Sequence, residues 1–124
     1  MALVGDVAHA STPHQGSGAG QCFEDALILS HLLGKVHNDC DLQTAFQVYD
    51  LICRPRGQEI VRTSDEAGRL FTFSDPEYGD DIAKIVENAN KRFLWIWTHD
   101  LEADLKRAQS EFQRLQSEQS VNKS

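Results

Sequence analysis

Glycines crowd the first 20 residues of this chain in a pattern that restricts what can follow them. Gly16, Gly18 and Gly20 alternate with other residues after a turn that contains Pro13, and they open a stretch with helical apolar periodicity. Glycine tolerates positive φ and lets a second molecule approach the backbone closely. Unpaired N–H groups at a helix start, together with the helix dipole, favour a negatively charged partner. We therefore expect an anion to bind at this helix start.

Asp6 stands at the other end of the same segment. It follows Gly5 and the short apolar run Ala2-Leu3-Val4, which is typical of a buried strand that stops at a turn. A carboxylate at the end of a strand can hold the hydroxyl groups of a ligand. A strand this short needs neighbours, so we expect it either to stand alone, which is unstable, or to join a sheet supplied by other sequence. The alternative is a glycine loop that only lets a helix pack closely on the strand.

The rest of the chain is helical in its apolar periodicity. The first predicted helix begins near residues 18–20, runs to about Leu33 and is closed by Gly34. Pro55 ends the second helix or starts the third, and about five helices are expected in all. The second predicted helix is capped by Asp39 or Asp41, and the third ends near Phe71. The fourth is capped by Asp80 or Asp81 and ends near Trp97, and the last begins at Leu101. The fold class is therefore mainly α, with a short N-terminal strand and a glycine-rich turn.

Apolar spacing also predicts which helix faces are buried. The first helix is expected to bury one face, made of Ala19, Cys22, Phe23, Ala26, Leu27, Ser30 and Leu33. The fourth is expected to bury Ile82, Ile85, Val86, Ala89, Phe93, Ile96 and Trp97. The last helix carries a narrow stripe that suits packing along a neighbouring helix. This stripe consists of Leu101, Leu105, Ala108, Phe112 and Leu115.

Composition excludes several classes of function. The 124 residues carry a net charge of −7, which argues against nucleic acid as a partner because its phosphates would be repelled. No apolar run approaches the roughly 18 residues of a membrane helix, so no membrane span is expected. Residues 1–6 lack the basic region of a cleaved signal. Three widely spaced cysteines indicate reduced thiols and a cytoplasmic protein.

The longer pattern Gly5-Asp6-x-Ala8-His9-x-x-x-Pro13-x-x-Gly16-x-Gly18-x-Gly20 closely resembles the second flavin-contacting motif of the FAD-dependent aromatic hydroxylases. Gln21 and Glu24-Asp25-Ala26 continue the match, and the nearest subgroup is the salicylate-hydroxylase-like monooxygenases. Tyr49-x-x-x-x-Arg54-Pro55-Arg56 and Trp95-Ile96-Trp97 also resemble that subgroup. The resemblance covers about residues 2–115 and implies the C-terminal portion of such an enzyme, a fragment of a Rossmann-like α/β FAD-binding fold. Val7 departs from the family, where alanine is usual.

The resemblance implies a set of cofactor-binding residues and no catalytic or metal-binding residue. Asp6 would bind the ribityl chain of FAD, and Pro13 would lie beside the isoalloxazine ring. The backbone of the segment from Gly16 to Gly20, which includes Gly18 and Ala19, would face the pyrimidine end of the ring. The implied reaction is hydroxylation of a small aromatic acid with NAD(P)H and O2. The G-x-G-x-x-G unit of the family is missing from this sequence, so we expect the chain to be inactive alone.

The resemblance also divides the chain. Residues 1–73 would be the C-terminal part of the FAD-binding domain, residues 74–117 a helical extension, and residues 118–124 a disordered tail. The alternative function is a non-catalytic helical interaction module with a relic flavin motif. Such a module would dock or self-associate through the stripe on the last helix.

Several polar residues have two interpretations. His9 and His14 could form half of a zinc site, although packing within the loop is favoured because no cysteine pair has suitable spacing. Arg54 and Arg56 could bind the pyrophosphate of the cofactor, although pairing with nearby acids is the commoner role of such arginines. Trp95 and Trp97 could line an aromatic substrate site, although two residues so close point to different helix faces.

Overall fold

The computed structural model describes residues 1–123. Its helices are α1 (Asp6–His9), α2 (Gly18–Leu33), α3 (Asp39–Phe71), α4 (Ile82–Arg92), α5 (Leu94–Trp97) and α6 (Leu101–Lys123), with a 3-10 turn at Pro13–Gln15. The mainly-α class is confirmed. None of the helices in this part of the chain is both long enough and apolar enough to cross a membrane.

The predicted N-terminal strand does not form, since residues 1–123 contain no strand. Residues 2–4 lie beside α3, where the carbonyl oxygen of Leu3 accepts a hydrogen bond from the Tyr49 hydroxyl at 2.8 Å. Strand geometry needs a hydrogen-bonded neighbour, and this part of the chain supplies none. Asp6 consequently begins the short helix α1 instead of ending a strand.

Helix α3 joins the second and third predicted helices into one. It continues through Pro55, which was expected to break it. Proline removes one backbone donor, so the carbonyl of Leu51 loses its usual partner. Both Pro55 and Leu51 are exposed, which leaves that carbonyl open to water. The helix is capped by Asn38, whose side chain accepts from the Asp41 N–H at 3.0 Å.

The core lies where α2, α3 and α6 pack together. The stripe on α6 takes part in it, since Ala108 and Phe112 are buried and the three leucines of the stripe pack around them. Packing along a neighbouring helix is thus confirmed, and the neighbours belong to the same chain. The stripe is therefore used internally. The predicted domain division at residue 73 stays a prediction, although core residues lie on both sides of it.

The buried face of α2 differs from the predicted one. Phe23, in the middle of the predicted face, is 77% exposed, whereas Asp25 is fully buried. The buried residues of this helix are Gln21, Asp25, Ile28 and Leu32. Hydrophobic spacing failed here because Gln21 Nε2 donates a hydrogen bond to the Asp25 carboxylate in the interior, so both polar residues can be buried. Most of the apolar side chains of the predicted face are left on the surface.

The fourth predicted helix is divided at Phe93 into α4 and α5. Asp81 caps α4 by accepting from the Lys84 N–H at 3.2 Å. Only Ile85 of α4 is buried, so the predicted inward face is wrong for Ile82 and Val86, which are exposed. The contacts of α4 with α3 are few, and this explains why its apolar stripe remains uncovered.

Helix α6 includes residues 118–123, and the domain division that treats residues 118–124 as a disordered tail stays a prediction. Gln116 donates to the Asp41 carboxylate at 2.8 Å, and Gln119 donates to the Thr44 hydroxyl at 2.9 Å. These polar contacts with the start of α3 hold a sequence that lacks apolar periodicity. Ser124 lies outside the described residues.

We expect the substitution Phe112→Ala to lower the free energy of unfolding by about 3–5 kcal/mol, because it leaves a cavity among α2, α3 and α6. Phe23→Ala is the matched control, since Phe23 is 77% exposed and should change stability by less than about 0.5 kcal/mol. Urea denaturation followed by circular dichroism measures both. Equal losses in the two variants would contradict this core.

Asp41 should make the free energy of unfolding of the chain depend on pH in the acidic range. Hydrogen bonds from Gln116 and the His37 N–H lower the pKa of Asp41 below its ordinary value of 3.8. A lowered pKa stabilises the folded state above pH 3.8, and this contribution is lost as the pH falls through the folded value. The stability difference between the wild type and Asp41→Asn should therefore shrink from pH 7 to about pH 2. A constant difference in urea denaturation at both pH values would contradict this assignment.

Candidate functional site

The N-terminus of α2 carries unpaired backbone donors. The helix begins at Gly18, and its first backbone hydrogen bond runs from the Gln21 N–H to the Ser17 carbonyl oxygen at 2.9 Å. The N–H groups of Gly18, Ala19 and Gly20 have no acceptor within residues 1–123. The Ser17 side chain makes no capping hydrogen bond. Three amide donors are thus available at the positive end of a 16-residue helix.

The glycines of this segment face open space. A Cβ atom built on Gly16 or Gly20 meets no atom within 4 Å, and one on Gly18 comes no closer than 3.8 Å to Ser11 Oγ. Gly16 adopts φ +63°, so its backbone conformation favours glycine. Gly20 has neither a positive φ nor a close neighbour in the described part of the chain. The face of α2 that carries Gly20 is therefore open to solvent.

Side chains of α3 hold the loop that leads into α2. Thr12 Oγ1 donates to Ser64 Oγ at 2.9 Å, and Ser64 Oγ donates in turn to the Thr12 carbonyl oxygen at 2.5 Å. Gln15 Nε2 donates to Thr63 Oγ1 at 2.9 Å and to the carbonyl oxygen of Ile60 at 3.2 Å. The turn at Pro13–Gln15 is thereby fixed on α3, and the start of α2 is fixed with it.

The rings of His9 and His14 pack against two glycines within α3. A Cβ on Gly57 would lie 3.1 Å from the His9 ring, and one on Gly68 would lie 2.6 Å from the His14 ring. The packing interpretation of both histidines is confirmed by these contacts. The sequence did carry a signal for them, since a glycine inside a long helix costs about 1 kcal/mol relative to alanine and so has a packing reason. No group of three or more metal-ligating side chains occurs in the part of the chain that is described.

The Asp25 side chain connects Gly5 and His9 of the N-terminal segment to α2. Its carboxylate is fully buried and accepts from the Gly5 N–H at 3.3 Å, from Gln21 Nε2 at 3.0 Å and from His9 Nε2 at 2.5 Å. Sequence reasoning used Asp25 as part of the family resemblance and missed this role. The three donors compensate the burial of a charge that would otherwise be very costly. Gly5 is held by this network, and Asp6 is the next residue.

A cleft of about 710 Å³ lies between residues 1–3 and α3, and Asp25 contributes to its lining. Burial, followed by the charge of Asp25, raises the pKa of the Tyr49 hydroxyl and of the Cys53 thiol. Both groups therefore stay protonated at neutral pH, and Cys53 is a structural thiol without nucleophilic character. None of the predicted cofactor-binding residues lines this cleft.

The predicted site residues fall in two places. Gly16, Gly18, Ala19 and Gly20 lie together at the start of α2, and Pro13 begins the 3-10 turn immediately before them. Asp6 lies apart in sequence as the first residue of α1; it is exposed, and its side chain has no hydrogen-bond partner among the described residues. The Gly5–Asp25 hydrogen bond is what connects its position to α2.

The two arginines pair with acids. Arg54 is exposed and bonds to Asp50 one turn earlier, whereas Arg56 is half-buried and bonds to Glu24 of α2. Acid pairing is therefore the role that the structure supports for both. Trp95 lies under the Arg56 guanidinium, and Trp97 is exposed and stacks on Phe93 with ring centroids 5.9 Å apart.

Known proteins share both the sequence and the fold of this chain. Salicylate hydroxylase from Pseudomonas putida is 43% identical over 111 residues, which are 89% of this chain and 26% of that protein. The 6-methylsalicylate 1-monooxygenase of Aspergillus terreus is 40% identical over 120 residues, with 97% of this chain and 27% of that protein covered. Other relatives are named FAD-dependent monooxygenases. No protein-family model matches the chain.

The structural comparison agrees. A salicylate hydroxylase solved as a substrate complex superposes with a TM-score of 0.81 and 42% sequence identity, covering 86% of this chain and 26% of that one. The chain thus spans about a quarter of the length of the relatives it matches. These similarities place it in the salicylate hydroxylase-like family of FAD-dependent monooxygenases, as the counterpart of a C-terminal portion of those proteins.

Proposed function

We propose that this chain supplies part of the FAD site of a monooxygenase that hydroxylates a small aromatic substrate with NAD(P)H and O2. The observation that carries the proposal is the set of three unpaired amides at Gly18, Ala19 and Gly20, with open space beside the glycines. Oriented amides at a helix N-terminus favour an electron-rich group. The names of the relatives support FAD as the molecule that carries this group.

The residues present fit FAD in their chemistry. The amides of Gly18, Ala19 and Gly20 would face the pyrimidine end of the isoalloxazine ring, where negative charge develops on reduction. The carboxylate of Asp6 is exposed and can accept hydrogen bonds from the hydroxyls of the ribityl chain. Pro13 would lie beside the ring, and Gly16 would belong to the backbone segment at its pyrimidine end. When bound, FAD would supply the oxidation of NAD(P)H and the reaction with O2, while these residues bind and orient it.

The chain alone is proposed to be inactive. It spans about a quarter of its relatives, and its sequence contains no G-x-G-x-x-G unit. The exposed Phe23 and Leu27 of α2 would pack against the remainder of such a flavin domain. A cytoplasmic location belongs to the same proposal and is supported by the odd number and wide spacing of the three cysteines in the sequence.

The alternative function, a helical interaction module, has lost its predicted docking face. The stripe on α6 packs against α2 and α3 and is not presented to a partner. The flavin proposal is therefore favoured, because it accounts for the open glycines at the start of α2.

Gly20→Ala should separate ligand binding from stability. A Cβ at this position meets nothing in the chain, so the free energy of unfolding should stay equal or rise by about 0.5 kcal/mol. The added methyl would obstruct a ligand against the backbone, and we expect the affinity for FAD to fall by about tenfold, which corresponds to 1.4 kcal/mol. Quenching of flavin fluorescence measures binding, and urea denaturation measures stability.

Gly34→Ala is the matched control for this test. Gly34 closes α2 at negative φ with ordinary contacts to backbone oxygens, so its substitution should leave FAD affinity unchanged. Equal FAD affinity of Gly20→Ala and the wild type would contradict the proposed site. Oxidation of NADH by this chain with FAD and salicylate would contradict the proposed inactivity.

A further inference from the structure

Arg56 connects three helices through one side chain that is largely shielded from solvent. Only 9% of the side chain is exposed, and its guanidinium bonds to both carboxylate oxygens of Glu24, at 2.5 and 2.9 Å. The same group donates to the carbonyl oxygen of Ile96 at 3.4 Å and lies 5.4 Å from the ring centre of Trp95. Arg56 belongs to α3, Glu24 to α2, and the other two residues to α5. Such bidentate, stacked contacts depend on the planar guanidinium.

The start of α2 needs such an external contact. It contains Gly18 and Gly20, which lower helix stability, and it lacks both a side-chain cap and an acidic residue in its first turn. Glu24 follows Gly20 by four residues, so the two lie on the same face, about 6 Å apart along the axis. Fixing Glu24 therefore fixes the side of the helix that carries Gly20.

The ion pair also changes the charge near the unpaired amides. An unpaired Glu24 carboxylate would place a negative charge about one turn from a site that favours anions. Pairing with Arg56 balances this charge inside a partly buried region, where screening by salt is weak. The fixed position of Glu24 and the neutralisation of its charge thus both favour anion binding at the start of α2.

We propose that Arg56 is a positioning residue, which holds the glycine-rich first turns of α2 on α3 and α5 and neutralises Glu24. The choice of FAD as the ligand rests on the proposed function, whereas the holding of the helix start does not. Arg56 would not touch the flavin and would act through Glu24.

The test compares Arg56→Lys with Arg54→Lys, which both keep the charge. Arg54 lies two residues away on α3 and pairs with Asp50 in solvent. Lysine cannot form the bidentate, stacked arrangement, so Arg56→Lys should speed hydrogen exchange of the Cys22, Phe23 and Glu24 amides by about tenfold. The amides of Ala108 and Phe112 in α6 should exchange as in the wild type. Glu24→Gln should reproduce this local effect, and Arg54→Lys should not.

Titration of the same proteins with FAD gives the second readout. The affinity of Arg56→Lys for FAD should fall by a factor similar to the increase in its hydrogen-exchange rate. The affinity of Arg54→Lys for FAD should equal that of the wild type. Faster exchange throughout the chain, or equal effects of the two lysine variants, would overturn the proposal, because Arg56 would then be a general stability residue. A wild-type chain that binds no FAD would refute the proposed function, while the exchange comparison would still decide whether Arg56 holds the helix start.

Discussion

The buried carboxylate of Asp25 is the interaction on which the rest of the structure depends. It binds the Gly5 N–H, the His9 ring and the Gln21 amide, and so it closes the N-terminal segment onto α2. The His9 ring then occupies the space above Gly57 of α3. A charge in the interior is tolerated only when hydrogen-bond donors such as these three compensate its burial. The open end of α2 is held in place by this interior network together with the contacts of the loop to α3.

The helices themselves could largely be predicted from the sequence. Local signals specify both ends of α2, from the glycines at its start to Gly34 at its end. Asp81 as the cap of α4 and Leu101 as the start of α6 were likewise predictable, because caps and periodicity are local properties. The family followed from a longer string of residues that includes the whole glycine-rich segment, and the relatives confirm it.

What the sequence left open depends on distant contacts. The continuation of α3 through Pro55 and the hydrogen bonds that hold the end of α6 on α3 involve solvent access and residues far apart in the chain. The buried face of α2 was mispredicted because apolar spacing cannot identify a carboxylate whose donors come from elsewhere. The site was predictable as a segment, whereas its support by α3, through Ser64 and Thr63, was not.

The central claim is that the unpaired amides at the start of α2 receive the flavin. The most direct measurement follows the backbone amide signals of the 15N-labelled chain by NMR during titration with FAD. The account predicts that the signals of Gly18, Ala19 and Gly20 shift in a saturable way, while those of Ala108 and Phe112 in the core stay in place. Saturable binding that leaves the three amide signals unmoved, or no binding at all, would contradict it.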